Sequence, residues 1–214
     1  MDEPVTTVVI APHIDDEVLG CFAFLSPQTL VLYGGVEDRP EVSRVERIAE
    51  MQRVADELGF TWELLDNVVN HYRLNDLIAP IERCLNEHRP DTVLIPQPSS
   101  YNQDHRAVYE AALVATRPHD QNWLVPRVLV YEQPHTVMWP AASAIEPTVF
   151  CEIDVAAKLA AYRGYASQVR AHRSPEVVEA LARLRGAQMG RPFAEGFGLK
   201  RLALGGSRGR SVLG

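Results

Sequence analysis

Aliphatic, β-branched runs alternate along this chain with amphipathic stretches of helical period. "TTVVIAP" (Thr6 to Pro12) is continuously apolar, as a strand buried on both faces requires, and "TLVLYGG" (Thr29 to Gly35) repeats the signal before stopping at a Gly pair. Between Ser43 and Phe60, Val45, Ile48, Ala49, Val54, Ala55 and Leu58 fall on one helical stripe, with Ser43 as a capping candidate and Gly59 as the stop. "TWELLDNV" predicts a third, weaker strand. "RLNDLIAPIERCLNEHRP" predicts a helix that Pro80 kinks or breaks and Pro90 closes. A fourth strand follows at Thr92 to Ile95, then a polar loop and a helix from about Gln103 to Thr116. "PRVLVYEQP" is a fifth strand and "TVFCEIDV" a short one. "DVAAKLAAYRGYASQVRAHR" and "SPEVVEALARLRGAQMG" predict two more helices.

This alternation predicts an α/β fold: a single Rossmann-like, doubly wound, mostly parallel sheet with helices on both faces. No internal repeat or long linker divides it, so the expected organisation is one domain over 1–204. The small, basic, Gly-rich stretch 205–214 reads as a loose tail. In such folds ligands bind at the carboxyl ends of the strands. That rule puts "PHIDDE" and "YNQDH" on one rim.

Composition narrows the function. The 214 residues carry a net charge of -7, which argues against general binding to nucleic acid while leaving room for an anionic substrate held by a local Arg cluster. Neither a membrane span nor a secretory leader is visible, and the 3 cysteines (Cys21, Cys84, Cys151) are widely spaced, which suggests reduced thiols in a cytoplasmic protein. Gly-x-Gly-x-x-Gly and P-loop fingerprints are absent, so dinucleotide binding after the first strand is not indicated.

The chemistry concentrates at His13, Asp15, Asp16 and Glu17. Four ionisable groups so close together repel one another and lose hydration, an objection that a cation among them removes. His13 and Asp16 can point at one centre if the chain turns helical near residue 16, and His105 can reach the same rim. Two histidines and a carboxylate make a catalytic zinc set with one open position. Zinc there acidifies water and polarises a carbonyl, and Asp15 can take the proton and return it to a leaving amine. Three other readings stand beside this one: a solvated helix start, magnesium on Asp15, Asp16 and Glu17, and a His105 that is a surface or satisfied histidine. The residues alone reach a metal-assisted hydrolase.

"APHIDDEVLGC" and "SYNQDHRAVYEAA" together resemble the LmbE-like (PIG-L) family of N-acetylglucosaminyl deacetylases, marked by His-Pro-Asp-Asp-Glu and a later His-x-Asp-His. Weaker echoes run through Arg47 and Glu50, "KLAAYRGYASQ" and "AEGF". The resemblance implies a Rossmann-like fold, one zinc ion per chain, and removal of an N-acetyl group from an amino sugar or glycoconjugate. It implies His13, Asp16 and His105 as metal ligands, Asp15 as general base, Asp104 as an orienting acid and Arg47 as a residue near substrate. Two positions depart from the pattern: Ile14 replaces the proline, and Asn102 replaces the first histidine of the second motif. Asparagine still donates a hydrogen bond to an oxyanion but carries no positive charge.

His71 and His135, on loops after the third and fifth strands, are further candidates for substrate contact, with Trp139 available to stack on a sugar ring. Tyr162 and Tyr165 read as core, and Glu17 as a helix-cap or supporting group. A non-catalytic sugar- or nucleotide-binding protein, an amidase for another acyl conjugate and a scaffold that has lost activity are the competing readings. A homo-oligomer is compatible with all of them.

Overall fold

The computed structural model describes residues 3–140 and 144–204; the stretch 205–214, expected as a tail, lies outside the described residues. Strands β1 (Thr7–Ala11), β2 (Thr29–Tyr33), β3 (Thr61–Leu64), β4 (Thr92–Pro96), β5 (Arg127–Tyr131), β6 (Val149–Glu152) and β7 (Ala194–Leu202) form one sheet in the order β3-β2-β1-β4-β5-β7-β6. The first five strands are parallel, with Thr7 in register with both Thr29 and Thr92. Strand β7 runs antiparallel between β5 and β6. The chain order reverses between β1 and β4, which opens a crevice at their carboxyl ends.

The helices are α1 (Asp16–Cys21), α2 (Arg44–Leu58), α3 (Leu74–His88), α4 (Gln103–Ala115), α5 (Pro134–Met138), α6 (Val155–Arg163) and α7 (Pro175–Gln188). Two cores result. Met51 and Val54 of α2, Leu159 and Tyr162 of α6 and Val178 of α7 pack on one face of the sheet. Leu77, Ile81 and Leu85 of α3 and Val108 and Ala112 of α4 cover the other. Val8 and Ile10 belong to the second core and Val9 and Ala11 to the first, which is why β1 reads as an unbroken apolar run. Among the described residues no helix is long and apolar enough to cross a membrane.

Some local expectations change. Helix α3 continues through Pro80, because the packing of Leu77, Ile81, Cys84 and Leu85 outweighs the lost backbone donor. The stretch predicted as one helix from Asp154 to Arg173 stops at Arg163, and two 3₁₀ turns (Ala166–Gln168 and Ala171–Arg173) follow. Those turns carry residues to the rim. Helix α1 lies hard against β5: a Cβ on Gly20 would stand 2.4 Å from the Tyr131 ring, so only glycine fits there.

Helix α2 starts in a full capping box. Ser43 Oγ accepts from the Glu46 N–H, and the Glu46 carboxylate accepts from the Ser43 N–H at 2.9 Å. Ser43→Ala is expected to cost about 1 kcal/mol of stability, read as a lower urea midpoint at unchanged slope.

Candidate metal centre

The turn that follows β1 holds the site. Asp15 has φ 104, a left-handed backbone unusual for a residue other than glycine, and it precedes α1 without capping it. Its neighbours hold it there. The Arg47 guanidinium donates to Ile14 O, the Asp15 N–H donates to Glu17 Oε2 at 3.1 Å, and the Leu19 N–H donates back to Asp15 O at 3.0 Å.

Asp16 is the hub. Its Oδ2 accepts from the His13 N–H at 2.9 Å and lies 3.6 Å from His13 Nδ1 and 3.4 Å from His105 Nε2. Its Oδ1 accepts from Gln133 Nε2 at 2.6 Å. One ligand atom from each of His13, Asp16 and His105 falls within 4.8 Å of the others, and the latter two residues are buried. His13 Nε2 is 2.9 Å from Asp104 Oδ2, so Nδ1 is the nitrogen left to face a metal. A carboxylate behind a ligating imidazole fixes its tautomer and orientation. Asp104 also accepts from the Asn70 and Tyr72 N–H groups at 2.7 and 3.4 Å, which ties the loop after β3 to the same histidine.

Burial works against charge on Asp16, but His105, His13 and the Gln133 bond outweigh it and lower its pKa, keeping it a carboxylate. Burial pushes His105 down to about 3 and His135 to about 4, so both are neutral imidazoles at neutral pH. Burial raises Asp15 to about 6 against the pull of Arg173. Asp15 Oδ2 is buried with no hydrogen-bond partner among the described residues. Two imidazoles and one carboxylate with ligand atoms this close together suit a borderline divalent ion such as zinc.

The other predicted residues divide. Asn102 caps α4, its Oδ1 accepting from the Asp104 N–H at 2.8 Å, and its amide nitrogen has no hydrogen-bond partner among the described residues. His135 stands beside the cluster, its ring 5.3 Å from that of His105 and its Nε2 2.9 Å from Ser100 Oγ. Arg47, expected near substrate, is buried; beyond Ile14 it binds Glu50 at 3.0 Å and Ser167 at 3.2 Å, a supporting position beneath the turn. His71 is exposed, and no described side chain bonds its ring. Trp139 is exposed too.

Three contributors went unread in the sequence. Gln133 grips Asp16 from the loop after β5, where the strand-end rule gave a usable hint in "EQP". Tyr165, read as core, donates to Glu17 Oε1 at 2.5 Å. Arg173 stands 3.0 Å from Asp15 Oδ2, and no spacing pointed to it.

Asp104→Asn is expected to weaken divalent-metal affinity about 10- to 100-fold, measured by chelator competition. Glu17 supplies a pH signature. Burial lifts it from 4.5 to about 7, so its stabilising contribution is complete below pH 4.5 and lost as pH rises through 7. Glu17→Gln carries no titrating group, so the stability of the native protein relative to the variant should fall across that window in urea denaturation. A constant difference would contradict the assignment.

The family model described as GlcNAc-PI de-N-acetylase (PIG-L) matches residues 8–116, just over half of the chain and all of the His13–Asp16–His105 cluster. The chain is 28% identical over 145 residues to the uncharacterized deacetylase YaiS of Escherichia coli K12, covering 60% of this chain and 74% of that one. Its fold is similar to N,N'-diacetylchitobiose deacetylase from Pyrococcus horikoshii, with a TM-score of 0.73, 18% identity, and 90% and 82% of the two chains covered. It is also similar to the 4-carboxy-2-hydroxymuconate hydratase GalB from Pseudomonas putida KT2440, with a TM-score of 0.77, 18% identity, and 96% and 100% covered. The motifs at the two strand ends, the doubly wound sheet and the match over residues 8–116 place this chain in the PIG-L (LmbE-like) family.

Proposed function

We propose that this chain is a zinc-dependent N-deacetylase, carried by one domain spanning 1–204, that hydrolyses the N-acetyl group of an amino sugar or sugar conjugate. The observation that carries the reading is the convergence of His13 Nδ1, Asp16 Oδ2 and His105 Nε2 on one point at the sheet's switch crevice. Family membership and the deacetylase relative favour amide hydrolysis. The hydratase neighbour shares the fold alone, and fold alone does not set a reaction.

His13, Asp16 and His105 hold the ion in this reading. Bound zinc supplies Lewis acidity, bringing the pKa of water down to about 7 and polarising the amide carbonyl. The protein's own groups do the rest. Asp15, which immediately precedes Asp16 in the same turn, accepts the proton of the attacking water and delivers it to the departing amine nitrogen. Asn102 presents its amide N–H as a neutral donor to the carbonyl oxygen as negative charge develops there, because its own oxygen is engaged by the Asp104 N–H. His135, held by Ser100, borders the substrate on the side of His105.

The test is amine release from a panel of N-acetyl sugars by the zinc-loaded protein. Asp15→Asn should keep its zinc and lose about 10²- to 10⁴-fold in kcat. Full turnover in zinc-stripped protein, or in Asp15→Asn, would overturn the reading.

A further inference from the structure

We propose that Arg173 is the positioning residue for Asp15, an inference that rests on the reading of Asp15 as the general base. The Asp15 side chain needs an external guide. Among the described residues the Arg173 guanidinium is the only group paired with its carboxylate, with Nη1 3.0 Å from Oδ2. The backbone bonds to Glu17 and Leu19 fix the main chain of Asp15 and leave its side-chain torsions open.

Arg173 is itself anchored for this task. Its Nη2 donates to Gln168 Oε1 at 2.8 Å, and its carbonyl accepts from the fully buried Tyr162 hydroxyl at 2.8 Å. Tyr162 lies in the last turn of α6 and Gln168 in the segment between α6 and α7, whose break into two 3₁₀ turns brings the arginine to the rim. The contact with Asp15 is one of charge: among the described residues Asp15 Oδ2 has no hydrogen-bond partner, and neither has the buried Arg173 Nε. The carboxylate is therefore aimed by attraction while its lone pairs stay free to accept a proton. A locked, bidentate Arg–carboxylate bond would occupy those lone pairs.

The arginine also restores a charge. Asn102 carries no charge, and Arg173 contributes a permanent positive charge beside Asp15. It lies outside residues 8–116, so the family match does not include it.

The test uses full-length, zinc-loaded protein with Arg173→Ala and Arg173→Lys. Misdirecting the base should lower kcat about 100-fold in Arg173→Ala with little change in KM, at unchanged zinc content, and millimolar guanidinium should restore part of that loss. Arg173→Lys should fall between the two. Neither the native protein nor Asp15→Asn should respond to guanidinium. A thermal-unfolding cycle gives a readout independent of activity: Arg173→Ala, Asp15→Asn and the double variant should shift Tm non-additively. Native kcat in Arg173→Ala, or a loss that guanidinium does not rescue together with additive Tm shifts, would overturn the proposal. Absence of amine release by the native protein would overturn the deacetylase reading instead, and the Tm cycle would then decide the Arg173–Asp15 contact by itself.

Discussion

The site depends on one buried carboxylate shared by three parts of the chain. Asp16 takes the N–H of His13 from its own turn, the amide of Gln133 from beyond β5, and the approach of His105 from the start of α4. Leaving such a charge unpaired in the interior would cost several kcal/mol. Its partners must therefore arrive together, and they do so because β1, β4 and β5 lie side by side with their carboxyl ends on one rim. Around that hub the supports form a second layer. Arg47 holds the turn from below, Glu17 and Tyr165 close it from behind, and Asp104 steadies His13 while tying down the loop after β3.

Much of this was legible in sequence because the signals were local. The β-branched runs of β1, β2 and β4 are buried on both faces, and α2 carries its own cap and stop, so pattern and structure agree there. Asp16 and His105 could be paired from sequence only through the strand-end rule, which the β1/β4 adjacency satisfies. What stayed hidden was short or long-range. Helix α5 is 5 residues long, less than two turns, and gives no periodicity. Strand β7 holds two glycines and ends in exposed charge, so nothing marked it as the antiparallel insert between β5 and β6. Arg173 and Tyr165 act on the turn from about 150 positions away, a reach that no window of local pattern contains. Arg47, expected near substrate, is buried with three internal partners that tie it to the turn, contacts that no local pattern showed.

The same architecture carries a deacetylase in one neighbour and a hydratase in another, so the sheet supplies a place and the rim residues supply the chemistry. In this chain the rim combines neutral imidazoles, one firmly ionised carboxylate and a second carboxylate whose charge burial resists. The two neighbouring carboxylates thus differ in how firmly each holds its charge. The loops above it, with His135 half-buried and Trp139 exposed, are where substrate choice would be written.

The central claim is that His13, Asp16 and His105 form one metal centre. Elemental analysis of zinc per chain in the native protein and in His105→Ala tests it most directly. The account predicts about one zinc in the native protein and far less in the variant. Equal zinc in both, or none in either after metal addition, would contradict it.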